Sequence, residues 1–117
     1  MRTRTIGYGD IKLVVSEATT MIGFRRTRYL EEAQAIEDDD PDRALLRRAF
    51  AYLKAATVEA EGLSWPLTFE EYLELPEALA IEWEEAVADL NPHWLAVPTE
   101  EDIKKKATTS TSGSPKK

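Results

Sequence analysis

One histidine, no cysteine and twenty-two carboxylates bound the chemistry open to this 117-residue chain. Without cysteine there is no thiol nucleophile, no disulfide scaffold and no zinc site built on mixed Cys/His ligands. The acidic run Asp38, Asp39, Asp40 and Asp42 invites a calcium loop. A loop beginning at Asp38, however, needs Gly at its sixth position and Glu at its twelfth, where Arg43 and Ala49 stand. The run reads instead as a solvated turn and helix cap, since a helix dipole favours negative charge there. Gly7-x-Gly9 lacks the third glycine of a dinucleotide fingerprint, Lys12 holding its place, and reads as a turn. Glu82, Glu84 and Glu85 would serve acid–base chemistry only in a pocket that separates their pKa values, and they read as helix-surface groups. His93, in Asn91-Pro92-His93-Trp94, has no Ser or Cys nucleophile pattern beside it and reads as a structural residue beyond a helix end. No catalytic, metal-binding or cofactor-binding set emerges, so the expectation is a protein that is not an enzyme and carries no cofactor.

The residues suited to binding are more numerous. Phe24-Arg25-Arg26-Thr27-Arg28-Tyr29 interleaves guanidinium and aromatic groups, the ingredients of an RNA or single-strand contact. A net charge of −7 opposes unspecialised binding to nucleic acid or an anionic membrane, so the favoured reading is a charged outer helix face over a buried Tyr29. A small nucleic-acid-associated regulator using Arg25, Arg26 and Arg28 is the alternative. Of the three tryptophans, Trp83 reads first as core, whereas Trp65 and Trp94, next to prolines in connecting segments, stand open between core and interface. Charge is also unevenly spread: residues 1–30 hold six basic and two acidic side chains, and residues 63–98 hold eight acidic and no basic ones. A basic partner, or the basic amino-terminal part of a second copy, would relieve that repulsion, which makes a homo-oligomer an expectation. The set assigned to a protein contact is Trp65, Tyr72, Trp83, Trp94, Glu82, Glu85, Arg25, Arg26 and Arg28.

These side chains must be positioned by a small, mainly α fold of three to four helices with an N-terminal β-hairpin. The domain is expected over 1–98, the hairpin over about 1–18, and a disordered tail over 99–117. Arg2–Ile6 and Ile11–Val15 flank Gly7-Tyr8-Gly9-Asp10, and Ile11, Leu13 and Val15 alternate as one apolar face. The Arg- and Thr-rich first arm reads as an edge strand. From about Thr20, Ile22, Tyr29, Ala33 and Ile36 share a helical face. Asp40 as N-cap and Pro41 as first helical residue open a second helix, whose stripe of Leu45, Leu46, Ala49, Phe50, Leu53, Ala56 and Ala60 is expected to run to a C-terminal cap at Gly62. Thr68 and Glu71 form a capping box, with Leu67 able to staple onto Tyr72. Pro76 separates this short helix from one carrying Leu79, Trp83, Ala86, Val87 and Leu90, which stops at Asn91-Pro92. No signal peptide or membrane-spanning run is read in the chain, and the expected setting is cytoplasmic, without a membrane partner.

The segment from Thr68 to Trp94, with its short capped helix, Leu75-Pro76 break, Trp83-bearing helix and Asn91-Pro92 stop, resembles small proteins of tailed bacteriophages, in particular tail assembly chaperones. The resemblance implies a small acidic helical protein of the host cytoplasm that keeps the tape-measure protein soluble while tail-tube subunits assemble. Another phage structural or adaptor protein is the nearby reading.

Overall fold

The computed structural model describes residues 1–94. The expected tail at 99–117 and the end of the expected domain lie outside the described residues. Seven elements follow one another: β1 (Thr3–Tyr8), β2 (Ile11–Ser16), α1 (Thr20–Gln34), α2 (Pro41–Ala56), β3 (Thr57–Glu61), α3 (Phe69–Leu73) and α4 (Glu77–Leu90). Helix predominates, but the strands form a three-stranded antiparallel sheet, ordered β1-β2-β3, rather than a hairpin alone.

The hairpin is tighter than its composition implies. Tyr8 pairs with Ile11, so the loop is only Gly9-Asp10, and Gly9 turns the chain with a φ of 59° that side chains avoid. β1 is an edge, as its composition implies.

The third strand is the main departure from the sequence reading. The apolar stripe of α2 was expected to continue through Ala60 to Gly62, yet the helix ends at Ala56 and residues 57–61 run extended against β2. Thr57 and Val58 are β-branched, and Ala60, four residues after Ala56, fits a helical stripe and an alternating strand equally well. What decides between them is the open side of β2. With strands on both sides, Leu13 and Val15 become fully buried. Gly62 is therefore not a helix cap. It lies at the end of β3 with φ 83°, where a Cβ would collide with the Asp10 carbonyl.

The helix starts follow their local signals. Thr19 Oγ accepts from Ile22 N at 3.1 Å, Asp40 accepts from Asp42 N at 2.9 Å, and the Thr68–Glu71 box closes in both directions at 3.1 and 2.8 Å. Pro76 sits just before α4 rather than inside it, its carbonyl accepting from Leu79 N and Ala80 N. Ile36, assigned to the buried face of α1, lies beyond the helix end and is exposed.

The core lies between the sheet, α2 and α4. Leu13, Val15, Leu53, Leu79, Trp83 and Val87 are fully buried, and an aromatic cluster fills the centre. Phe50 stacks on Tyr72 at 4.7 Å, while Trp83 meets both rings edge-on at 6.4 and 6.1 Å. Among the described residues no helix is long and apolar enough to cross a membrane.

Candidate functional site

α2 carries more apolar surface than its neighbours cover. Phe50, Leu53 and Ala56 are buried, but Leu45 and Leu46, one helical turn nearer its start, remain 53% and 41% exposed. They lie in a groove of about 630 Å³ whose other walls are Leu30 and Gln34 of α1 and Glu84, Glu85 and Ala88 of α4. At the end nearest the C-terminus of α4, the groove opens into a polar recess of about 420 Å³ bounded by Arg26, Glu31 and His93. Tyr52 and Trp94 line both compartments and stand against each other, ring centroids 6.1 Å apart.

Asn91 sets this junction. Its buried side chain accepts from Ala18 N at 2.7 Å and donates to Ser16 O at 3.1 Å, fastening the end of α4 to the connection between β2 and α1. A turn closed by Trp94 N on Asn91 O, 2.9 Å, then brings the indole of Trp94 back over Tyr52. Arg26 lies over that indole, its guanidinium carbon 4.8 Å from the ring centroid. On the α4 wall, Glu84 accepts from the Tyr72 hydroxyl at 3.5 Å. Burial first, and the Glu84 charge second, push the Tyr72 phenol up to about 12.

The residues assigned to a protein contact do not form one surface. Trp83, Tyr72 and Trp94 are buried, at 0%, 5% and 6% exposure, and of the three only Trp94 lines the groove and its recess. Their apolar area is consumed inside the fold, and the Trp83 indole N–H donates to Thr57 Oγ at 3.0 Å. Trp65 is half-open, at 37% exposure, with its ring 6.2 Å from Trp83 and away from the groove. Glu85 and Arg26 border the groove and its recess, whereas Glu82 is exposed on α4 outside both. The arginines do not form one face: Arg26 covers Trp94, Arg28 lies over Phe24 of its own helix at 4.9 Å, and Arg25 is half-buried.

Two further assignments change. Asp38 is not a solvated turn residue: its carboxylate accepts from Arg47 at 3.0 and 3.2 Å and pairs with Arg43 at 3.4 Å. Hydrogen bonds from Arg47 hold its carboxyl below the usual range. The acidic stretch 63–98 also finds counter-charge in other elements, Glu70 from Arg43 at 3.2 Å and Asp89 from Arg4 at 3.5 Å. Among the described residues no three His, Asp or Glu side chains are disposed to hold a metal ion.

The residues that form the groove escaped notice because Leu45 and Leu46 read as core. The available signal was the adjacency of Leu45 with Leu46 and of Ala49 with Phe50, which makes a stripe wider than one packing partner covers. No family model, no curated protein and no solved structure matches the chain.

Proposed function

We propose that the protein is a non-enzymatic assembly factor that holds an apolar segment of another protein in the groove between α1, α2 and α4. The observation that carries this reading is the exposure of Leu45 and Leu46 on a groove floor walled by three helices. Two adjacent leucines left open together supply a contact that burial would favour by roughly 1.5 kcal/mol or more each. The flanking Glu84, Glu85 and Arg48 give the site a polar rim. The resemblance of Thr68–Trp94 to tail assembly chaperones supplies the partner class: a helical, partly apolar stretch of a tape-measure protein, or a tail-tube subunit, met in the host cytoplasm.

Co-expression with the products of neighbouring reading frames tests the proposal. A stable complex with a tape-measure or tail-tube protein is expected, and Leu45→Glu combined with Leu46→Glu is expected to abolish it. Because both side chains are exposed, the double variant should keep its unfolding free energy within about 1 kcal/mol of the parent. A gene lying apart from tail genes, or a complex indifferent to the double variant, would sink the reading.

A further inference from the structure

The geometry points to a two-fold symmetric dimer in which β1 pairs antiparallel with β1 of a second copy about an axis at Thr5, joining two three-stranded sheets into one. The site lies on the sheet, apart from the groove, and is independent of what the groove binds. Which way the backbone groups of β1 point follows from its register with β2. Glu17 N donates to Arg2 O at 3.0 Å, which makes Arg2 and Glu17 a hydrogen-bonded pair. Such pairs alternate along an antiparallel ladder, so the next ones are Arg4–Val15, Ile6–Leu13 and Tyr8–Ile11. Thr3, Thr5 and Gly7 therefore turn their N–H and C=O groups away from β2, and among the described residues nothing pairs with them. β1 also lacks the devices that keep an edge closed. It contains no proline or lysine, its register with β2 is unbroken, and its one charged side chain, Arg4, lies on the same face as the buried Ile6, paired with Asp89 at 3.5 Å.

Three outward residues at two-residue spacing are complementary to themselves. With Thr5 opposite Thr5 of the second copy, Thr3 meets Gly7 and Gly7 meets Thr3, and each pair exchanges both backbone bonds, about six in all. Side-chain charge selects the same register. It sets Arg4 opposite Ile6 and Arg2, whose side chain is exposed, opposite the Tyr8 ring, 46% exposed and able to accept a guanidinium on its face. Sliding the strands by one bonded pair in one direction would bring Arg4 against Arg4, and like charges directly opposite destabilise a sheet. Sliding them in the other direction would set Thr3 against Gly9, where β1 has ended in its turn. Two strands this short bury less than the ~1,200 Å² of a standard interface, so the dimer is expected in reversible equilibrium, with a Kd above about 1 μM.

A charge exchange on the axis tests both the contact and its register. Thr5 is exposed and bonds to β2 through neither backbone group, so Thr5→Lys and Thr5→Glu should leave the fold intact, which circular dichroism and denaturant unfolding check. Sedimentation equilibrium of the full-length protein, up to about 1 mM, is expected to show a dimer that each variant alone weakens at least about tenfold, because residue 5 then faces its own charge across the axis. Mixed in equal amounts, the two variants are expected to regain the parent's association as a heterodimer, Lys against Glu. Val58→Lys, placed on β3 where Val58 is exposed, is expected to change the Kd by less than about twofold. A parent that stays monomeric over the whole range overturns the proposal, as does association that the Thr5 variants leave unchanged. Loss in both variants without recovery in the mixture overturns it too, since only an axis at Thr5 brings residue 5 against residue 5. No groove ligand enters these measurements, so this inference and the proposed function fail separately.

Discussion

At the scale of single residues, the interior is held by a few polar groups that answer one another. Thr57 Oγ donates to Leu53 O at 2.7 Å and accepts from the Trp83 indole at 3.0 Å, so one hydroxyl satisfies a carbonyl at the end of α2 and the N–H of the largest buried side chain. Thr57→Val keeps the shape and removes both bonds, and it is expected to destabilise by about 1 to 3 kcal/mol, the cost of an unpaired buried donor. Trp83→Ala is expected to cost about 3 to 5 kcal/mol by leaving a cavity. Denaturant unfolding measures both, and an unchanged midpoint in either would contradict the packing described. Tyr72 supplies a pH test. Its phenol is raised to about 12 by burial and then by Glu84, against ~10 for an unfolded tyrosine. Below about pH 10 both states keep the proton; between about 10 and 12 the unfolded chain ionises first, so stability falls with rising pH, by roughly 3 kcal/mol in full. A spectrophotometric titration should show a late phenolate step near pH 12 that Tyr72→Phe removes.

Among the elements, β3 has the most consequence, since it closes the sheet over Leu13 and Val15 and frees α2 to end at Ala56. Gly62 permits that closure by running with positive φ against the backbone of Asp10 and Ile11. Gly62→Ala is therefore expected to cost about 2 kcal/mol or more through backbone strain and the collision with Asp10. A stability equal to the parent would show that the approach of β3 to the hairpin loop is looser than described. α1 is the contrasting case: Ile22 is its one buried residue, and Tyr29 is half-buried against the core with the Lys54 amine 4.1 Å above its ring. Partial burial holds the Lys54 amine below its usual range. With one buried residue against five on α4, α1 forms one wall of the groove, and hydrogen exchange is expected to show earlier opening in α1 than in α4.

For the molecule as a whole, charge is better balanced than its distribution along the chain implies, because folding brings Arg4 to Asp89 and Arg43 to Glu70. These exposed pairs are individually weak. Among the described residues β1 keeps an unpaired edge and α4 its acidic face, and we propose self-association through that edge. Sedimentation at high protein concentration should show a salt-sensitive shift towards dimers or larger species; a monomer at all salt concentrations would remove it.

Local chemistry in the sequence was sufficient for the starts of α2 and α3, the break before α4, the hairpin and the edge position of β1. Asp40-Pro41, the Thr68–Glu71 box and Pro76 act within a few residues of themselves. Tertiary structure alone decided the rest. Residues 57–61 are compatible with helix or strand, and only the unpaired side of β2 makes the strand the lower-energy choice. Likewise, nothing in a helical stripe separates Leu45 and Leu46, left open, from Phe50 and Leu53, buried, because that distinction depends on how far α1 and α4 extend along α2. The candidate site was hidden for this reason: its apolar residues have the same periodicity as the core, and a groove is a property of three helices placed together.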